Sequence, residues 1–66
     1  MEKVTLNGKE YVVAEKLGTV YWKEGDEIGF APMNNDGTFD EENGGVVETW
    51  EEVDEADKNA VIALLG

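Results

Sequence analysis

The segment Lys3-Val4-Thr5-Leu6-Asn7-Gly8-Lys9-Glu10-Tyr11-Val12-Val13-Ala14 decides the fold. Asn-Gly between two runs of β-formers is a strong short-range hairpin signal, because a two-residue turn of this kind needs positive φ at both central positions. Lys3–Leu6 and Lys9–Ala14 are therefore the first two strands. Gly18 breaks the chain, and Thr19-Val20-Tyr21-Trp22-Lys23 reads as a third strand. Glu24-Gly25-Asp26-Glu27 is a turn. Ile28-Gly29-Phe30-Ala31 is a fourth strand, stopped by Pro32, which cannot donate to a ladder.

Beyond Pro32 the texture changes. Met33–Gly45 is dense in Asn, Asp and Gly and reads as a long loop dominated by turns, with Phe39 pinning its middle to the core. Val46-Val47-Glu48 offers a short fifth strand. Thr49-Trp50-Glu51-Glu52 has capping-box spacing, and Asp54 supplies a second N-cap. The pattern resolves as a single turn over Trp50–Val53 and a helix from Glu55 to Leu65. Val53, Ala56, Ala60, Val61 and Leu64 form its apolar stripe, and Gly66 follows it.

The expected fold class is α+β: one domain, residues 1–66, an antiparallel β-meander of four to five strands with one C-terminal α-helix packed on a face. Tyr11, Val13, Tyr21 and Trp22 cannot all lie under that helix, since alternate strand residues point to opposite faces. Some aromatic surface on the far face is therefore expected to be exposed. Trp22 and Trp50 read as core residues, and Trp50, beside Glu51 and Glu52, also suits an interface anchor in an acidic rim.

Composition narrows the function. The 66 residues carry five lysines against sixteen Asp and Glu, a formal net charge of −11, and 41% of them are apolar. That apolar share is too high for a typical acidic disordered tail. Ser, Cys, His, Gln and Arg are absent. Their absence removes Ser-His and Cys-His nucleophiles, thiolate metal sites and disulfides. Without histidine, the side chain most used for acid–base work near neutral pH is missing. No catalytic residues, metal site or cofactor are expected, and the chain is not read as an enzyme. An EF-hand alignment on Gly37 places Asn34, Asp36 and Asp40 at oxygen positions, but Pro32 falls where the first ligand should be and Asn43 where the bidentate Glu should be. Asx-turns organising a loop are the simpler expectation, with a weak Ca²⁺ site of another kind ranked below them.

The start of the chain shows no charged n-region followed by an apolar stretch, and no apolar run approaches the roughly 20 residues of a membrane helix. A cytoplasmic protein with no membrane association is the expectation. Five dispersed lysines cannot make a phosphate-binding stripe, so direct nucleic-acid binding is not expected either.

The charge is polarised. Residues 1–23 hold four lysines and three acids, a net of +1, whereas residues 24–66 hold thirteen acids and one lysine, a net of −12. Two explanations stand. Acidity can serve solubility alone. Alternatively, the anionic residues form a binding surface for a basic partner, with Asp36, Asp40, Glu41, Glu42, Glu48, Glu51, Glu52 and Glu55 as the candidate contact residues. Side chains three or four apart on a helix lie about 5–6 Å apart. Those two apart on a strand lie about 6.5 Å apart, from a rise near 3.3 Å per residue. Both spacings are of the order of phosphates along a nucleic-acid strand.

Small size, high acidity and the lack of catalytic equipment together resemble the acidic inhibitor proteins of phages and mobile elements. That class includes anti-CRISPR proteins, anti-restriction DNA mimics and the uracil-DNA glycosylase inhibitors. The resemblance lies in charge and size, not in a motif. It implies a partner that is a basic nucleic-acid-binding protein or effector complex in a host-cell cytoplasm, blocked by competition for its nucleic-acid groove, with the inhibitor a monomer or weak homodimer. The alternative is a small accessory module that binds another protein through an exposed sheet edge or aromatic face.

Overall fold

Asn7 and Gly8 both adopt positive φ, 53° and 80°, and the chain reverses there as the sequence requires. A computed structural model describes all residues from Met1 to Gly66. Strands β1 (Glu2–Leu6), β2 (Lys9–Ala14), β3 (Thr19–Glu24), β4 (Glu27–Pro32) and β5 (Gly45–Val46) form one open sheet in the order β1-β2-β3-β4-β5. Every neighbouring pair is antiparallel. Helix α1 (Glu55–Leu65) follows, so the fold is α+β, a meander with one C-terminal helix. A one-turn 3₁₀ segment, Glu15–Leu17, joins β2 to β3 and ends on Gly18 in the left-handed region. Gly25 takes φ 62° at the first central position of the β3–β4 turn.

Register sorts the side chains into two layers. Tyr11 pairs with Trp22, and Trp22 with Gly29; Val13 pairs with Val20, and Val20 with Ala31. These residues share one face, where Tyr11, Val20, Trp22 and Ala31 make a buried cluster with Val4, Val13, Met33 and Phe39 around it. Val12, Ala14 and Tyr21 point the other way and meet Val61 of α1, flanked by Phe30, Val47, Trp50 and Leu64. The molecule is thus three layers deep: the Met33–Asn43 loop, the sheet, and the segment from Val47 through α1.

This layering corrects the expectation of exposed aromatics. Tyr11, Tyr21 and Trp22 are all at least nine-tenths buried. The loop supplies the missing cover. Phe39 stacks 5.0 Å from the Tyr11 ring and 6.3 Å from Trp22, and an isolated Met33–Phe39 bridge draws the loop back on itself. The loop is accordingly ordered, with a turn closed by Gly37 N–H to the Asn34 carbonyl and a 3₁₀ turn at Glu41–Asn43.

Smaller differences have local causes. β4 includes Pro32 as its last residue, where a missing N–H costs the ladder least, and the Pro32 carbonyl accepts from Asp40 N–H at 2.9 Å. β5 begins one residue earlier than Val46-Val47-Glu48 and leaves Val47 and Glu48 outside it, although Val47 N–H still donates to the Ile28 carbonyl at 2.8 Å. The single turn at Trp50–Val53 forms, closed by a 3.0 Å backbone hydrogen bond, but Thr49 makes no side-chain cap there. Asp54 occupies the N-cap of α1, again without a side-chain bond. The expected stripe holds at Val53, Ala60, Val61 and Leu64 and fails at Ala56, which is exposed, while Asp57, Lys58 and Leu65 are partly covered.

Candidate functional site

The eight candidate acids divide into two groups by the side of the sheet they occupy. Asp36, Asp40, Glu41 and Glu42 lie on the loop that covers Tyr11 and Trp22. Glu48, Glu51, Glu52 and Glu55 lie on the opposite side, around Trp50, which packs 5.5 Å from the Tyr21 ring. The structure therefore does not bring them onto a single flat face. It joins the groups at the β5 edge, where Gly44 and Gly45 carry the chain from one side to the other. Gly44 passes so close to β4 that a Cβ would overlap the Phe30 carbonyl oxygen. Taken together the two groups form an acidic belt in two parts, one on each side of the sheet, with β5 between Glu42 and Glu48 in the chain.

The local chemistry of the loop group explains how it is held. Asp36 accepts from Thr38 N–H at 3.0 Å and from the Thr38 hydroxyl at 2.6 Å. Those bonds stabilise the carboxylate and hold its pKa below the usual aspartate value. Asp40 caps the 3₁₀ turn by accepting from Glu42 N–H at 3.1 Å, and its second oxygen accepts from the Asn43 amide. The Asx-turn expectation is met, and these carboxylates organise the loop as well as charge it.

None of the eight candidates is paired with a cation. The three ion pairs are Lys3–Glu10, Lys9–Glu24 at 3.7 Å and Lys16–Asp57 at 3.6 Å. Lys9 also lies over the Trp22 ring, 5.1 Å from its centroid, and over Tyr11 at 5.5 Å. Trp22 donates its indole N–H to Glu24 at 2.8 Å. Two of the ion pairs, Lys9–Glu24 and Lys16–Asp57, tie lysines of residues 1–23 to acids of the anionic part, and none reaches the eight candidates.

One feature was not legible in the sequence. On the helix side of the sheet, an open cleft of about 480 Å³ lies between the Glu48–Val53 segment and strands β3 and β4. Its floor includes Leu17, Tyr21, Phe30, Val47 and Trp50, and its rim includes Glu48, Glu51 and Glu52. Burial raises the pKa of the Tyr21 phenol; Thr19 opposes the shift and the Asp57 charge adds to it. Trp50 was the only sequence signal for this cleft: an aromatic inside an acidic run, half-buried here rather than sealed in the core. No helix is long and apolar enough to cross a membrane. Comparison with known proteins found no matching family, no matching curated protein and no matching solved structure.

Proposed function

We propose that the chain is an acidic inhibitor that binds a basic nucleic-acid-binding protein, such as a host defence effector complex, through the belt around the β5 edge. The observation that carries this reading is that Asp36, Asp40, Glu41, Glu42, Glu48, Glu51, Glu52 and Glu55 all lack an ion-pair partner in the fold. Unpaired like charges add repulsion to a small domain. A basic partner groove would relieve that repulsion and gain electrostatic steering, which makes association fast and salt-sensitive. In this reading the belt occupies the groove in place of nucleic acid, and the protein itself binds neither nucleic acid nor membrane. Its setting is the host-cell cytoplasm, and it acts without a cofactor or catalytic step.

The test is a pull-down from a bacterial lysate with washes of graded salt, followed by a nucleic-acid-binding assay on the captured protein. The reading expects the captured protein to lose nucleic-acid binding at saturating inhibitor. Reversing Glu41, Glu42, Glu51 and Glu52 to lysine should abolish both capture and inhibition. Inhibition that persists in the reversed variant and at high salt would sink the proposal.

A further inference from the structure

The cleft beneath Val47–Val53 sets an apolar floor within reach of three carboxylates, Glu48, Glu51 and Glu52. Phe30, Val47, Trp50 and Val53 line it, Val46 stands 40% exposed at its mouth, and no lysine borders it. Its volume of about 480 Å³ falls in the range of sites that accept small organic groups. A uniformly charged partner groove would leave this floor in contact with water. A segment that carries an apolar side chain between cations would cover it.

We infer that the cleft seats a large apolar side chain presented by a Lys/Arg-rich segment of the partner, with Glu48, Glu51 and Glu52 meeting the flanking cations. The inference rests on the belt being a partner-binding surface, and it narrows that surface to one docking point and one kind of occupant. Charge complementarity selects the occupant. An acidic apolar segment is repelled by the rim, and a neutral one gains nothing from it. Trp50 supplies an aromatic wall of the kind that binding hot spots favour.

The test uses the intact chain and three synthetic peptides of equal length: a lysine-rich peptide with two central leucines, the same peptide with serines for leucines, and the same peptide with glutamines for lysines. Backbone amide shifts are followed during titration. The leucine–lysine peptide should bind about tenfold more tightly than the serine version, with shifts at Phe30, Val47 and Val53. The glutamine version should bind more weakly than the leucine–lysine peptide. Val46→Lys, which sets a cation at the mouth, should weaken the leucine–lysine peptide by a similar factor. The triple variant Glu48→Gln, Glu51→Gln, Glu52→Gln should do the same with no apolar residue changed. Equal binding of the leucine and serine peptides would overturn the cleft while leaving the anionic-belt reading intact. Shifts confined to Asp36–Glu42 would do the same. No binding of either lysine peptide would overturn both.

Discussion

Gly29 lies directly opposite Trp22 in the β3–β4 register, and the Trp22 indole fills the space that a Cβ on Gly29 would need. The ring lies flat across the neighbouring strand because its partner has no side chain. From there it reaches Glu24 with its N–H and Phe39 with its face.

Gly29→Ala should therefore displace the indole rather than fill a gap. Overpacking of this kind costs about 1–3 kcal/mol. Urea unfolding should show that loss, and Trp22 fluorescence should change as the ring leaves its pocket. A variant as stable as the parent would show that the sheet has room to spare.

Phe39→Ala should uncover the loop side of the sheet. Phe39 is half-buried, so the loss should be about 1–2 kcal/mol, short of the figure for a fully buried ring. The diagnostic sign is faster amide exchange across Asn34–Asn43 with no change at Val61. If exchange in the loop stays the same, Phe39 does not hold it down.

Asp36 should titrate below the ordinary aspartate value of about 3.9, because Thr38 donates to it twice. Thr38→Val keeps the backbone donor and removes the hydroxyl, so the Asp36 pKa should rise part of the way back. Carboxyl-carbon NMR titration measures this directly. Because the folded pKa is depressed, any stability linked to Asp36 is fully present above the unfolded value and is lost as pH falls through the folded one. An unmoved pKa in the valine variant would assign the shift to the backbone donor alone.

Salt should stabilise this protein. With a net charge of −11 and only three ion pairs, two of them exposed at both ends, screening removes more repulsion than attraction. Raising sodium chloride from low millimolar to about 0.5 M shortens the Debye length well below 10 Å. The melting temperature should rise by several degrees, since about 1 kcal/mol corresponds to roughly 4–8 °C in a domain of this size. Glu51→Gln should raise it at low salt and show a smaller salt response. A melting temperature that falls with salt would mean the ion pairs outweigh the repulsion.

Much of the strand plan was legible because local chemistry dictates it. Asn7-Gly8 admits one tight reversal, and β-branched residues crowd the strands on either side. What covers each face was not legible, because one apolar residue in a polar loop, Phe39, does that work at long range. The exposure of Ala56 also escaped the spacing argument: its methyl has too little apolar area to compete for the sheet, and Asp57 beside it is partly covered and pairs with Lys16. The acids themselves could be named from the sequence. Their division between two sides of the sheet depends on Gly44 and Gly45 crossing the β5 edge, which no composition argument reveals.

Both covers of the sheet come from residues after Pro32: the Phe39 loop on one side, and Trp50 with Val61 on the other. A fragment that stops at Pro32 would keep four strands and lose both covers, leaving Tyr11, Tyr21 and Trp22 facing water on a sheet whose net charge is only −2, from four lysines and six acids. Residues 33–66, with ten acids and one lysine, bring the lids and most of the repulsion that keeps neighbouring copies apart in the same stretch of chain.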